Sequence, residues 1–141
     1  MRFVESSSVI AASPEAVWEV LSDGANWPAW DSGVESVDGE LAPGKTVTIR
    51  SAVAPGRAFP VQVKDFQPPG RLTLAGGMPL GLFRGVRTFD LTPGPDGTTA
   101  FRLREEYTGP LVGLIWRSMP DLQPSFDTFT RGLKARVESA G

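Results

Sequence analysis

The sequence predicts an α+β fold in which one strand and two small helices come first, an antiparallel meander follows and a long helix comes last. Three observations carry this prediction: a helix-start signal at Ser13-Pro14, Pro-Gly and Asp-Gly pairs at strand-length intervals, and an apolar stripe near the C-terminus. No linker, repeat or shift in composition divides the 141 residues. We therefore expect a single domain over residues 1–141, an ordinary length for one hydrophobic core.

The first strand and helix have clear local signals. Residues 2–10 alternate loosely between apolar and polar side chains, which is typical of a strand at the edge of a sheet. The Ser13 oxygen can accept a backbone N–H at the start of a helix, and Pro14 loses no hydrogen bond at the first helical position. The apolar positions of this helix share one face: Val17, Val20 and Leu21. Asp23-Gly24 predicts its end, and residues 26–30 add one further turn.

The meander extends from residue 34 to residue 107. Its strands are separated by the turn pairs Pro43-Gly44, Pro55-Gly56, Pro69-Gly70 and Asp96-Gly97. A hairpin around the third pair sets Val63 opposite Leu74 and Asp65 opposite Leu72. One face of this hairpin is then apolar and the other charged, as a sheet with one covered side requires.

Two charges fall on the inner face of the next hairpin. With Leu91 opposite Thr99, Arg87 lies opposite Leu103 and is a diagonal neighbour of Glu105. An isolated buried charge is costly, so inward charges are normally paired or used. Two readings remain open: Arg87 and Glu105 orient a polar group of a ligand, or they form a structural ion pair or point outward through a register slip.

The last third of the chain carries one continuous apolar stripe. Its positions are separated by three or four residues: Ile115, Met119, Leu122, Phe126, Phe129, Leu133 and Val137. Pro120 and Pro124 each remove a backbone donor from the predicted helix. We expect a kink or break at residues 120–124.

Composition excludes several classes of function. The chain has no histidine and no cysteine, so disulfides, zinc sites and most nucleophile-base pairs are excluded, and we expect no metal and no cofactor. A net charge of −2 provides no positive field for nucleic acid. The apolar runs are shorter than the ~20 residues of a membrane helix, which predicts no membrane insertion and a cytoplasmic location.

Two segments resemble a known family. Residues 10–23, IAASPEAVWEVLSD, followed by Trp27-Pro-Ala-Trp30, resemble the entry motif of the polyketide cyclase/dehydrase-like branch of the START/Bet v 1-like (SRPBCC) superfamily, and Gly109-Pro110 with residues 132–138, GLKARVE, resembles its ending. This resemblance implies a helix-grip fold, in which a curved antiparallel sheet of about seven strands wraps around a long C-terminal helix. The superfamily includes lipid carriers, hormone receptors, aromatic cyclases, chaperone activators and ribosome-associated toxins, so the fold alone does not decide the function.

In a helix-grip fold we expect a cavity between the sheet and the last helix. The strand residues predicted to bind a ligand there are Phe59, Val61, Val63, Leu72, Leu74, Arg87, Phe89, Phe101, Leu103, Glu105 and Tyr107. The helix residues predicted to bind it are Met119, Leu122, Phe126 and Phe129. The alternative for each apolar residue taken alone is a filled core.

The leading hypothesis is therefore binding of a small, largely apolar molecule, such as a lipid or an aromatic polyketide, with Arg87 and Glu105 as polar anchors. The first alternative is a cyclase/dehydrase-like enzyme in which Glu105 is the general acid or base and Arg87 steadies an enolate oxygen. One carboxylate and one guanidinium are a small catalytic set, which favours binding over catalysis. The second alternative is a protein-interaction module that acts on a chaperone or a ribosome. The oligomeric state is left open.

Two further features have two interpretations each. The glycine-rich residues 75–85 form either a mobile apolar lip, with Met78, Leu80 and Leu82 at its tip, or a tight hairpin with buried ends. Trp27 and Trp30 either cap the narrow end of the cavity or pack the second helix, and packing is the favoured role.

Overall fold

The structure is a computed structural model that describes residues 2–140. Its strands are β1 (Arg2–Ile10), β2 (Val34–Asp38), β3 (Thr46–Ser51), β4 (Phe59–Gln67), β5 (Arg71–Gly77), β6 (Arg84–Pro93) and β7 (Thr99–Thr108). Its helices are α1 (Pro14–Ser22), α2 (Val112–Ser118) and α3 (Gln123–Ala140), with a 3₁₀ helix at Gly24–Ala29 after α1 and short 3₁₀ turns at Pro79–Gly81 and Pro95–Gly97.

All seven strands form one antiparallel sheet in the order β1-β7-β6-β5-β4-β3-β2. The sheet curls into a half-barrel, and α3 packs across its concave face. The predicted helix-grip architecture is confirmed, including the two short helical segments after the first strand.

The N-terminal helices form as their sequence signals predict. The Ser13 hydroxyl accepts the Ala16 N–H at 3.2 Å, and Pro14 is the first residue of α1. The helix ends one turn before Trp27, which is fully buried and donates its indole N–H to the Leu21 carbonyl at 3.0 Å. This tryptophan therefore packs the 3₁₀ helix against the core, which confirms the favoured role.

The β4–β5 register differs from the predicted one beyond its first pair. Val63 lies opposite Leu74 as expected, but a bulge follows, and the predicted pairing of Asp65 with Leu72 is wrong. Phe66 takes the place opposite Leu72. The extra residue of the bulge reverses which side chains face inward. An aromatic ring thereby enters the core while Asp65 turns to the outer face.

The β6–β7 register is shifted by two residues from the predicted one. Leu91 lies opposite Phe101 rather than Thr99, so Arg87 and Glu105 are direct partners rather than diagonal neighbours. The shift arises because the turn is centred at Asp96, one residue later than assumed, and the Gly94 N–H donates to the Thr98 carbonyl at 2.9 Å. Because side chains alternate with a period of two, a shift of two residues preserves the face of each side chain.

The predicted break in the last helix is confirmed. Residues 119–122 separate α2 from α3, and Pro120 lies between the two helices. Pro124 is the second residue of α3, where no intrahelical donor is required. Within residues 2–140 no helix combines the length and the apolarity that crossing a bilayer demands.

Polar side chains of α3 cover the free edge of β1. Gln123 donates to the Glu5 carbonyl at 2.9 Å, and Lys134 donates to the Val9 carbonyl at 2.6 Å. The Glu138 carboxylate accepts the N–H of Ala11 at 2.8 Å. We call this set of contacts the edge seam. It satisfies backbone groups that an exposed edge strand would leave open, and it fixes α3 along one side of the sheet.

Candidate functional site

Arg87 and Glu105 form an ion pair on the concave face. Arg87 Nε donates to Glu105 Oε1 at 2.6 Å, and the two side chains are 30% and 15% exposed. The Arg87 guanidinium lies 4.7 Å from the ring centre of Phe126 on α3, which shows that it faces the helix. An outward register slip is excluded, and water still reaches both charges.

The charge on Arg87 is retained despite its surroundings. Burial works against the guanidinium, but the Glu105 carboxylate and the Tyr107 side chain outweigh it and raise the pKa of Arg87. Removing one member of such a pair leaves the other charge uncompensated. The pair is therefore a fixed dipole on the concave face.

Tyr107 lies next to this pair and is almost completely buried. Its ring stacks against Phe83, with ring centres 5.9 Å apart, and is tilted against Trp116 at 5.5 Å. Its hydroxyl has no hydrogen-bond partner among the described residues. Burial raises the pKa of Tyr107, the Glu105 carboxylate raises it further and Arg87 opposes the shift, so the phenol stays a neutral donor.

A glycine makes room for the Glu105 carboxylate. Gly85 lies opposite Tyr107, and a Cβ at this position would come within 2.6 Å of Glu105 Oε2. The next inward position of the same row is also glycine, Gly76. Both glycines lie in the glycine-rich segment 75–85, but the sequence did not predict that they shape the site or that Phe83 and Trp116 enclose the tyrosine. The predicted register set Gly85 opposite Glu105, whereas the structure sets it opposite Tyr107.

Most of the predicted ligand-binding residues form a filled core. Each of these is at most 5% exposed: Val63, Leu72, Leu74, Phe89, Phe101, Leu103, Phe126 and Phe129. The aromatic rings interlock, with Phe129 centred 5.7 Å from Phe89 and 5.1 Å from Trp27. The expected hollow along the whole of α3 is therefore wrong for this half of the concave face, because side chains occupy it. A role for these residues in ligand binding stays a prediction.

The remaining predicted residues, apart from Tyr107, keep some exposure at one end of the sheet. We call this region the open end and define it by Phe59, Val61, Arg87, Glu105, Met119 and Leu122. The strand topology brings the start of β4, the end of β5, the start of β6 and the end of β7 together here. The α2–α3 connection passes over the same end.

Two surface hollows lie elsewhere. The first, of about 470 Å³, is lined by Trp30, Asp31, Arg131, Gly132, Ala135, Arg136 and Ser139 on the outer side of α3. The second, of about 330 Å³, lies on the convex face and is lined by Arg71, Val86, Thr88, Asp90, Arg102, Arg104 and Glu106. Neither includes a residue of the open end, and the charged side chains of the second form ion pairs with one another or with Glu5.

Solved structures of other proteins share this fold. A Mesorhizobium loti protein is 20% identical, with a TM-score of 0.76 and 99% of each chain covered. The Zhui aromatase/cyclase of Streptomyces sp. R1128 is 16% identical, with a TM-score of 0.75 over 97% of this chain and 93% of its own. A START superfamily protein of Mycobacterium smegmatis is 16% identical, with a TM-score of 0.70 and 99% of each chain covered. These likenesses establish the fold alone.

The sequence itself matches one family. A search of the curated proteins returns no match to this chain. The family model described as polyketide cyclase / dehydrase and lipid transport matches residues 1–138. Because that match spans nearly the whole sequence, and the fold is that of START and Bet v 1-like proteins, the chain belongs to the polyketide cyclase/dehydrase and lipid transport family.

Proposed function

We propose that the protein binds a small, largely apolar molecule at the open end and holds its polar group between Arg87, Glu105 and Tyr107. One observation carries this proposal: an ion pair that water still reaches lies on the concave face against α3, and an unpartnered phenol lies beside it. Buried polar groups normally have partners, and those that lack them are candidates for a role in binding.

The free donors and acceptors define the polar group that fits. Arg87 uses Nε for the ion pair, and its two terminal amino groups make no hydrogen bond to another described residue. Tyr107 offers a hydroxyl donor, and Glu105 Oε2 remains an acceptor. A ligand with a carbonyl or carboxylate oxygen beside a hydroxyl would satisfy all three groups.

The rest of the open end suits an apolar body. Phe59 is exposed, and Val61, Met119 and Leu122 are partly buried. Each Å² of apolar surface that a ligand covers here contributes about 25 cal/mol. An apolar body with one polar end therefore fits better than a fully polar metabolite.

Melting temperature in the presence of ligands tests the proposal. A panel of fatty acids, sterols and aromatic polyketides should include members that raise the melting temperature, because a ligand at a hundred times its Kd adds about 2.7 kcal/mol of stability. In Arg87→Met the affinity should fall by about tenfold or more, since a charge-assisted hydrogen bond is lost.

The matched control is Arg71→Met. Arg71 forms an ion pair of 2.8 Å with Asp90 on the convex face of the same sheet. This variant loses an arginine and an ion pair but leaves the concave face intact, so its ligand-induced shift should equal that of the wild type. The proposal fails if no ligand shifts the wild type, or if both arginine variants lose the shift equally.

A second function is favoured by the pairing of an acid with a base. Tyr107 stays protonated because burial and the nearby Glu105 carboxylate raise its pKa. The two groups lie close together, since a Cβ at Gly85 would come within 2.6 Å of Glu105 Oε2 and 3.5 Å of the Tyr107 ring. In a dehydration, Glu105 would take a proton from the carbon next to a carbonyl while Arg87 steadies the enolate oxygen. Tyr107 would then protonate the departing hydroxyl, which leaves as water.

Kinetics separates this enzyme from a carrier. For an enzyme, Glu105→Gln should abolish turnover of a β-hydroxy-ketone polyketide analogue while the analogue still raises the melting temperature. For a carrier, the wild type should bind the analogue and release it unchanged, as mass spectrometry of the recovered ligand would show.

A further inference from the structure

We propose that the end of the molecule next to the open end docks on an anionic lipid bilayer through four exposed apolar side chains. These are Met78, Leu80 and Leu82 in the β5–β6 connection and Leu114 in α2, and we call them the apolar tip. Leu80 is 95% exposed and Leu114 is 68% exposed. Single exposed apolar residues are ordinary, but a cluster of them marks an interaction surface.

Backbone contacts bring the two segments of the tip together. The Leu111 N–H donates to the Leu82 carbonyl at 3.0 Å, which ties the start of α2 to the loop. Gly109 lies so close that a Cβ there would meet the Gly81 carbonyl oxygen at 2.7 Å. Leu114 lies on α2, less than one helical turn after this contact. The tip is therefore one patch built by two elements.

The loop holds Leu80 outward in an uncommon conformation. Leu80 has φ of 62°, in the left-handed region that residues other than glycine rarely adopt. The flanking turn is closed by a hydrogen bond of 2.8 Å from the Met78 N–H to the Phe83 carbonyl. The closed turn therefore holds the Leu80 side chain toward solvent.

The distribution of charged residues around the apolar tip favours an anionic bilayer as its partner. The sequence has no acidic residue between Asp65 and Asp90, and none between Glu106 and Asp121. The segments of the tip fall in these two acid-free stretches. Glu106, the acid nearest to this end on β7, is engaged by Arg104 at 2.9 Å.

Three exposed arginines lie on or beside the elements that carry the tip. Arg84 pairs with Gly77 just before Met78, Arg117 lies on α2 with Leu114, and the Arg2 guanidinium lies 5.9 Å from the ring centre of Trp116 on α2. None forms an ion pair within the described part of the chain. The protein as a whole carries a net charge of −2, so this end is positive against the overall charge. Apolar side chains with basic ones beside them match the interface of an anionic bilayer, where each basic residue adds to the attraction.

Docking in this orientation would turn the open end toward the lipid. The start of β6 carries Arg84 at its first residue and Arg87 three residues on, so the tip and the polar pair lie at the same end of the sheet. An apolar ligand could then pass between bilayer and concave face with little exposure to water. This consequence rests on the proposed function, whereas docking itself does not.

A fluorescent label on Leu80 tests the docking directly. Because the chain has no cysteine, Leu80→Cys can be labelled at one position with an environment-sensitive nitrobenzoxadiazole dye. Vesicles of phosphatidylcholine and phosphatidylglycerol at a 7:3 ratio should shift the emission to the blue. The matched control is labelled Val9→Cys, since Val9 is 60% exposed at the far end of β1, and its emission should not change.

Sedimentation with the same vesicles measures how much the apolar side chains and the arginines each contribute to vesicle binding. Leu80→Asp should lower the partition coefficient by about tenfold or more, because one apolar side chain is lost from the interface. Arg84→Gln combined with Arg117→Gln should lower it by a similar factor and reduce its salt dependence. Val9→Asp should partition as the wild type does, and circular dichroism should show that all variants are folded.

Three results would overturn the proposal: no sedimentation of the wild type with anionic vesicles, equal sedimentation of Leu80→Asp, or equal binding to vesicles of phosphatidylcholine alone. A dimer that Leu80→Asp abolishes, in a protein that ignores vesicles, would assign the tip to a second copy of the chain instead. Ligand-induced melting shifts are measured without vesicles, so a failure of docking and a failure of ligand binding remain distinct.

Discussion

Tyr107 shows how a single residue can cost stability and still be informative. Its ring is packed between Phe83 and Trp116, but its hydroxyl is buried without a partner among the described residues. An unsatisfied buried hydroxyl costs about 1–3 kcal/mol relative to a partnered one. The Arg87–Glu105 pair beside it is, in contrast, partly satisfied within the protein by the hydrogen bond from Arg87 Nε to Glu105 Oε1.

Tyr107→Phe should therefore leave the free energy of unfolding unchanged or raise it by about 1 kcal/mol. Because the folded pKa of Tyr107 is raised, the wild type should lose stability above about pH 10, where the phenol ionises in the unfolded chain, and the variant should lose less. Urea unfolding between pH 7 and pH 11 measures both effects.

The same variant links stability to function. Its ligand-induced melting shift should be smaller than that of the wild type, because the ligand loses a donor. A loss of more than 1 kcal/mol without ligand would show that the hydroxyl is already satisfied and would remove its proposed role.

At the scale of one element, α3 is placed by close backbone approach as well as by its apolar stripe. At Gly132 a Cβ would overlap the backbone oxygen of Asp31, so only glycine lets the helix reach the segment after the 3₁₀ helix. Trp30 on that segment packs against Phe129 of α3, with ring centres 5.1 Å apart. The helix is therefore fixed on this side by shape and on the β1 side by the edge seam.

Two glycine-to-alanine variants should change stability in opposite directions. Gly132→Ala should destabilise the protein by about 1–3 kcal/mol, since the overlap outweighs the gain in helix propensity. Gly113→Ala in α2 has nothing within 4 Å of its Cβ and should stabilise the protein by up to about 1 kcal/mol. Denaturant midpoints compare the two, and equal effects would contradict the close approach of α3.

Because the edge seam includes the Glu138 carboxylate, we expect the stability of the folded protein to depend on pH in the acid range. The hydrogen bond from Lys134 and then the N–H of Ala11 lower the pKa of Glu138 in the folded state. Its contribution is therefore present above about pH 4.3, the pKa of an unperturbed glutamate, and is lost as the pH falls through the lowered value. Glu138→Gln should be less stable than the wild type at pH 7, and the difference should shrink below pH 4.

The control for this effect is Glu19→Gln. Glu19 is exposed on α1 and makes no hydrogen bond to another described residue. Its removal should leave the acid limb of the stability curve unchanged. A curve for Glu138→Gln that stays parallel to the wild type down to pH 3 would show that the seam does not depend on this carboxylate.

At the scale of the whole molecule, the packing is uneven from one end to the other. The half of the concave face under α3 is a filled core, whereas α2 contains no buried residue. Elements with few buried apolar contacts open locally with a smaller free energy than the core does. We therefore expect local opening to cost the least free energy at the open end.

Amide hydrogen exchange should show this gradient. Amides of α2 should exchange at least tenfold faster than those of α3 between Phe126 and Val137, whose side chains face the core. A ligand bound at the open end should slow α2 more than α3. Equal protection of the two helices without ligand would contradict an opening at this end.

The architecture could be predicted from the sequence because its signals are local. The cap at Ser13, the break at Pro120 and the inward faces of the strands each depend on neighbouring residues. The strand register opposite Arg87 and the bulge before Asp65 depend on the position and length of the turns. The alternation of apolar and polar side chains does not indicate these. The division between filled core and open end depends on how strongly the sheet curls. The role of Gly85 and Gly76 in making room at the site depends on the observed strand register.

The first strand hydrogen-bonds along one edge to β7 and along the other to α3, so its long-range backbone partners come from the last third of the chain. During synthesis, β1 must wait until nearly the whole polypeptide has left the ribosome. Such distant pairings are slow to form, and an unpaired strand recruits other chains in the meantime. A chain that stops before Gln123 would keep the outer edge of β1 bare and should aggregate, even though all seven of its strands could already be aligned.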